Sequence, residues 1–386
     1  MKKIFLQSAF SVTMLLITFF LPAQVRQAII SPQVNADQTI TFRLKAPNAV
    51  SVKIKGTWMK DNDPQVSMVK TDSIWSYTTD KLQGDFYRYN FYIDGVEILD
   101  PSNVLAERAG TRYESIIIPT GDQSGLYTLH DVPHGSVSAV WYNSPTLGMK
   151  RRMMVYTPPS YLENTNTKYP VLYLLHGAGG DENAWIARGP VSAIMDNLVA
   201  ANKVKEMIVV VTNGYPEQPA APNYIPAGFI AQTGEANNMG NGRFEESLVK
   251  DVIPFIEKRY RVYTDKMNRA IAGFSMGGLQ TQHITNANPD LFDYIGVMSM
   301  GLMDNNRFGN YNKEEHTRQI KSLVAARPKL YWIGIGKDDF LYNSVVNLRK
   351  KYDEDGLKYE YHESTGGHTW SNWSLYLTEL APKFFK

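Results

Sequence analysis

The sequence predicts an α/β domain over the C-terminal part of the chain, preceded by a smaller all-β sandwich. Three observations carry this expectation. Apolar runs such as Val171-Leu-Tyr-Leu-Leu175 and Leu330-Tyr-Trp-Ile-Gly-Ile335 read as buried strands that run straight into loops. Another such run, Arg269-Ala-Ile-Ala-Gly-Phe274, ends in Gly-x-Ser-x-Gly at residues 273–277, with a helix-like stretch following at once. Residues 25 to about 128 instead alternate apolar and polar at period two and show no helical period.

Taken in chain order, the first element is an export signal. Lys2 and Lys3 form a basic start, Ile4 to Phe20 is mostly apolar, and Leu21-Pro-Ala23 supplies a small residue for cleavage. No stop-transfer flank follows and no other long apolar run exists, so residues 1–23 read as a secretory signal peptide rather than a membrane span. The expected location is periplasmic or extracellular. Cleavage there leaves 38 basic and 38 acidic residues, a balance that argues against nucleic acid or a strongly charged surface as partner. The chain has no cysteine, hence no disulfide framework and no lipid-modified Cys, and each fold rests on its core alone. No histidine pair has metal-ligand spacing, and neither metal nor other cofactor is expected.

Residues 24–128 form the β module. Thr39–Leu44, Ser51–Lys55, Ile74–Thr78 and Phe86–Ile93 are its strand candidates, the last followed by an Asp94-Gly95 turn. Several short strands spaced by turns suggest an immunoglobulin-like sandwich. Trp58, Trp75 and the tyrosine-rich strand could offer sugar rings a stacking face, but the same aromatics build an ordinary core, and the reading favours packing. Residues 129–146, with Pro133, Gly135 and Pro145, read as linker and entry strand, and residues 147–386 as the α/β domain.

Within that domain, Ser275 falls at a sharp strand-to-helix turn, where glycines at 273 and 277 avoid collisions that side chains would cause. Such a serine acts as a nucleophile when an acid and a histidine follow it in the chain. His368 lies in Ser364-Thr-Gly-Gly-His-Thr-Trp370, just past a strand candidate at 359–363. The acid lies in Lys337-Asp-Asp-Phe-Leu-Tyr342, and the residues alone leave both Asp338 and Asp339 open. His176 suits a structural hydrogen bond in a glycine-rich loop, His283 falls in a helix and His362 in a strand, so His368 is the expected base. The loop His176-Gly-Ala-Gly-Gly180 follows an early strand and offers backbone amides. The N–H groups of Met276 and of Ala178, with Gly177 as the near alternative, are the expected oxyanion donors. A phosphate-binding loop is a poor fit, because no Lys-Ser/Thr follows the glycines.

From about residue 135 onward the chain resembles the esterase D-like α/β-hydrolases of carbohydrate esterase family 1. The matching stretches include Tyr156-Thr-Pro-Pro-Ser-Tyr161, Leu175-His-Gly-Ala-Gly-Gly180, Ala272-Gly-Phe-Ser-Met-Gly-Gly278, Gly336-Lys-Asp-Asp-Phe-Leu-Tyr342 and Gly366-Gly-His-Thr-Trp370. The resemblance implies an α/β-hydrolase fold and a triad of Ser275, His368 and Asp339, since the family pattern places its acid just before Phe-Leu-Tyr. The stretches Phe42–Val50 and Asp94–Pro101 resemble early-set sandwiches of carbohydrate-binding module family 48. The implied activity is ester hydrolysis, with feruloyl or other hydroxycinnamoyl esters on plant xylan first and acetylxylan second. An enterochelin-type siderophore esterase, an acyltransferase and a non-catalytic glycan-binding protein are the alternatives. The basic pocket an anionic siderophore needs is not evident in the loop 216–242, whose charges include Glu217 and Glu235. Trp185, Tyr215, Tyr224 and Trp370 are the candidate substrate contacts, and Trp373 reads as core.

Overall fold

In the computed structural model the described residues are 28–60, 63–109, 112–121, 123–225, 227, 242–303 and 311–386. The expected signal peptide and most of the loop between 226 and 241 lie outside them. Among the described residues, no helix is long and apolar enough to cross a membrane.

The N-terminal unit is a sandwich of two antiparallel sheets. One holds Gln33–Val34, Ile40–Lys45, Ile74–Thr78 and Val69–Thr71. The other holds Val66–Ser67, Val52–Gly56, Tyr87–Ile93, Arg112–Ile117 and Ala106–Ala109, with Val96–Ile98 as a short partner of Tyr87–Ile93. The predicted alternation sets the core. Ile40, Phe42 and Leu44 from one sheet meet Val52, Ile54, Tyr89 and Phe91 from the other. Trp75 is buried, its indole N–H donating to the Ala46 carbonyl at 2.9 Å, and Trp58 stacks on Phe42 at 5.2 Å. These two tryptophans serve the core, as the packing reading holds. The Asp94-Gly95 turn has φ of +48° and +89°, and the Asp94 carboxylate accepts from the amides of Val50 and Ser51, tying the hairpin to the next loop.

The second unit is built on an eight-stranded mixed sheet. Its strands are β1 (Ser136–Ser144), β2 (Met149–Thr157), β3 (Val171–Leu175), β4 (Ile208–Thr212), β5 (Arg269–Phe274), β6 (Tyr294–Met298), β7 (Leu330–Gly336) and β8 (Glu360–Ser364). Their spatial order is β1-β2-β4-β3-β5-β6-β7-β8, antiparallel for the first three and parallel from β4 onward. Parallel strands covered on both faces read as continuous apolar runs, which is why the sequence shows them so plainly.

Successive residues of β3 feed opposite layers: Val171, Tyr173 and Leu175 on one face, Leu172 and Leu174 on the other. Helices α1 (Val191–Ala200) and α5 (Trp370–Leu380) cover the second face. Helices α2 (Met276–Ala287), α3 (Lys313–Ala326) and α4 (Tyr342–Asp355) cover the first, along with the helical run Arg243–Arg259, which carries a π-type turn at Leu248–Val252.

The two units are joined by packing and charge. Phe86 and Tyr127, before the linker, lie in the same apolar cluster as Met154, Tyr156 and Trp185 of the α/β unit. Arg188 donates to Glu107 at 2.9 Å, and Arg108 pairs with Asp181. Phe42→Ala removes the ring at the centre of the sandwich and should cost about 3–5 kcal/mol of stability. A correspondingly lower urea midpoint, followed by tryptophan fluorescence, checks this.

Candidate active site

Three parallel strands of the sheet deliver the expected groups to one edge, with β6 lying between the first two. Ser275 follows β5, Asp339 follows β7 and His368 follows β8. Ser275 has φ +52° and ψ −122°, a conformation that L-residues rarely adopt and that a tight elbow forces. The glycines around it have a measurable reason. A Cβ on Gly273 would lie 2.4 Å from the Gly277 carbonyl oxygen, and one on Gly277 would lie 2.6 Å from that of His176. The Ser275 amide donates to the Met298 carbonyl at 3.0 Å, which fixes the elbow against β6. Met276 opens α2, so its N–H belongs to the helix's first turn, which has no intrahelical acceptor.

The structure brings Asp339 and His368 together. Nδ1 of His368 lies 3.0 and 2.9 Å from the two carboxylate oxygens of Asp339, which is buried. That contact places the proton on Nδ1 and leaves Nε2 as the basic nitrogen. Asp338, the competitor, points into solvent, and its amide donates to the Gly366 carbonyl at 3.0 Å. Asn372 of α5 holds the His368 loop by donating to the carbonyls of Thr365 and Gly367 at 3.1 and 2.9 Å. Phe274 stacks on Trp373 at 3.8 Å, and Trp373 meets the His368 ring edge-on at 5.0 Å. One indole thus spans from the residue before the serine to the histidine. Its N–H donates to Ser299 at 3.0 Å.

The glycine-rich loop is held from below. The Gly214 amide donates to His176 Nε2 at 2.9 Å, so Nδ1 carries the proton and donates to the Gly177 carbonyl at 2.7 Å. Burial pushes the His176 pKa down, keeping it neutral in this role. The Tyr215 hydroxyl accepts from the Gly179 amide at 2.8 Å. Ala178 is exposed at the tip, and Gly177 faces Phe274 and Ser275 so closely that a Cβ there would lie 3.1 Å from the Ser275 Cβ.

Three of the expected substrate contacts need correction. Trp185 has no exposed surface; its indole N–H donates to the Leu175 carbonyl at 3.1 Å and its ring supports Phe274. Trp370 is buried between Trp185, Phe274 and Trp373. Tyr215 is buried with its hydroxyl spent on Gly179. All three carry the site from beneath rather than line it. Tyr224 alone is exposed, with the Arg152 guanidinium 3.9 Å over its ring.

Sequence reasoning missed Arg151 and Arg152, both buried. Arg151 donates to the carbonyls of Asn213, Tyr215 and Gln218, and Arg152 to Glu182, which lace the loop after β4 in place. Two adjacent arginines inside an apolar strand were the available signal. The other two histidines weighed in the sequence lie elsewhere: His283 pairs with Glu245, and His362 stacks on Trp332. Among the described residues, no group of three or more His, Asp or Glu is placed to hold a metal ion.

Parallel strands that bring Ser, Asp and His to one edge in that chain order are the arrangement of an α/β-hydrolase. Residues 144–384 match the family model described as "Putative esterase", and the chain belongs to this Esterase family. Over 367 residues it is 33% identical to an endo-1,4-beta-xylanase/feruloyl esterase of Xylanibacter ruminicola, covering 92% of this chain and 46% of that protein. The chain thus spans less than half the length of that relative. A solved ferulic acid esterase is 27% identical with a TM-score of 0.53, covering 65% of this chain and 97% of its own. The enterobactin esterase of Shigella flexneri, at 16% identity and a TM-score of 0.65, shares the fold over 89% of this chain and 92% of its own.

Two outcomes follow from this geometry. Asp339→Asn should lower kcat by about 10³–10⁴ by disturbing the His368 tautomer, while Asp338→Asn changes it little, as steady-state rates on an activated ester would reveal. His176 has its folded-state pKa depressed, so below the ordinary histidine range the unfolded chain takes up a proton that the folded chain refuses. Its stability contribution is therefore complete above that range and is lost progressively as the pH falls from it toward the lowered folded-state value. The acid side of a Tm–pH curve should flatten in His176→Gln.

Proposed function

We propose that this chain is an exported serine esterase that releases feruloyl or other hydroxycinnamoyl groups from plant xylan. The observation that carries the reading is the two-oxygen contact of Asp339 with His368, at the same sheet edge as a serine held at positive φ. The identity to a relative named as a xylanase/feruloyl esterase supports the acyl group and the polysaccharide.

In the proposed mechanism His368 Nε2 takes the Ser275 proton as Oγ bonds to the ester carbonyl carbon. The amides of Met276 and Ala178 bind the oxyanion that forms. Collapse of this adduct breaks the bond to the alcohol oxygen, which leaves with the proton from Nε2. Water, deprotonated by the same nitrogen, then attacks the acyl-serine and frees the acid and Ser275. No cofactor enters these steps. Residues 1–23 act as the export signal, residues 24–128 as the sandwich module and residues 147–386 as the catalytic domain.

Initial rates on methyl ferulate, methyl p-coumarate, 4-nitrophenyl acetate and acetylated xylan, with Ser275→Ala alongside, test the proposal. The expected result is a preference for the hydroxycinnamates that drops by about three orders of magnitude or more in the variant. Retained turnover in Ser275→Ala defeats the triad, and preference for acetyl esters replaces the acyl group while leaving the mechanism.

A further inference from the structure

Phe340 is an oddity of the site. It is 76% exposed, whereas the adjacent Asp339 is 4% exposed, and among the described residues no other phenylalanine stands so far into solvent. One turn sets both directions. The amides of Asp339 and Tyr342 donate to the carbonyls of Gly336 and Asp339 at 3.1 and 2.9 Å, and the Leu341 amide donates to the Asp339 carboxylate at 2.9 Å. The amides of Lys337 and Asp338 pin the loop to Ser364 and Gly366 of the His368 loop at 2.9 and 3.0 Å. Phe340 is therefore displayed on a fixed loop, with its ring centroid 4.5 Å from that of His368. Trp373 touches the same imidazole but is buried and already serves the core, so Phe340 is the aromatic contact of His368 that remains open to a ligand.

We propose that Phe340 is the platform for the alcohol half of the substrate: the apolar face of the sugar that carries the ester oxygen rests on its ring. This rests on the esterase reading above. Nδ1 of His368 is taken by Asp339, so Nε2 is the nitrogen that hands its proton to the departing alcohol. Such a transfer requires the alcohol oxygen within about 3 Å of Nε2. A substituent on that oxygen then falls within a ring's width of Phe340, whereas the carbonyl oxygen is directed to the amides at the start of α2 and in the glycine-rich loop. Phe340 thus selects among alcohols, not acids. A flat aromatic face suits a pentose ring, which presents C–H groups on one side, and offers a methyl group little to cover. The same loop and the end of β8 also carry polar groups: Glu363 accepts from the Tyr342 and Tyr361 hydroxyls at 2.7 and 2.8 Å, and Lys337 lies 3.4 Å from it.

The test compares alcohols at a fixed acid in the full-length protein. For the ferulate esters of a methyl pentoside and of methanol, we measure kcat/KM in the native chain, in Phe340→Ala and in Phe340→Trp, and repeat the series with the two acetates. Phe340→Ala should lower the pentoside-to-methyl ratio about tenfold, or about 1.4 kcal/mol, chiefly through KM. Phe340→Trp should keep the ratio within about twofold of the native value. An unchanged ratio in Phe340→Ala, or an equal loss on both alcohols, overturns the proposal and makes Phe340 mere cover for His368. If the native chain turns over only acetates, the feruloyl reading fails while the acetate ratio still decides the platform. A native chain inert on all four esters overturns both.

Discussion

The site depends on a lack of room. Between the end of β5 and the start of α2 the chain reverses so tightly that a single added methyl group at 273 or 277 would enter the van der Waals shell of a backbone carbonyl. That crowding holds Ser275 at a positive φ, sets the Met276 amide at the start of a helix and presses the glycine-rich loop against Phe274. Everything else in the α/β unit can be understood as support for that bend. Strands β3 and β6 flank β5 in the sheet, and the Ser275 amide is bonded across to Met298. The strain is tolerated because the surrounding contacts fix the conformation many times over.

Support reaches the bend from one side as an aromatic stack. Trp185, Trp370, Phe274 and Trp373 meet one another at 3.8–5.5 Å and end against the imidazole of His368. From the other side it is polar. Tyr215 and His176 bond the backbone of the glycine-rich loop, and the buried Arg151 spends its guanidinium on the carbonyls that follow β4. Apolar packing thereby fixes the His368 ring, and buried hydrogen bonds fix the loop proposed to receive negative charge. A buried polar network of this sort holds best where its members are satisfied, as the His176 ring is, whereas Nη1 of Arg151 is buried without a partner.

Much of this was legible in the sequence because it is local. A strand, a glycine-flanked serine and a helix are contiguous, and so are the strand and loop that present Asp339. The choice of Asp339 over Asp338 came from resemblance, and the turn shows why only one of two adjacent carboxylates can face inward. What sequence could not supply was exposure. Trp185, Trp370 and Tyr215 occur in loop-like stretches where a ligand contact is plausible, yet tertiary packing buries all three, while Phe340 faces outward because a turn bonded to another loop directs it so. The pairing of Arg108 with Asp181 links residues 73 positions apart, beyond the reach of any periodicity.

That pairing and its neighbours change how the sandwich should be regarded. With Phe86 and Tyr127 inside the apolar layer of the α/β unit, and Glu107 and Arg108 meeting Arg188 and Asp181, the boundary between the units is itself a small core. A tethered module on a free linker would melt on its own schedule. Here the loss of either unit would uncover apolar surface and buried charge on the other, which couples the stability of the two. The sequence between them is then less a leash than a seam.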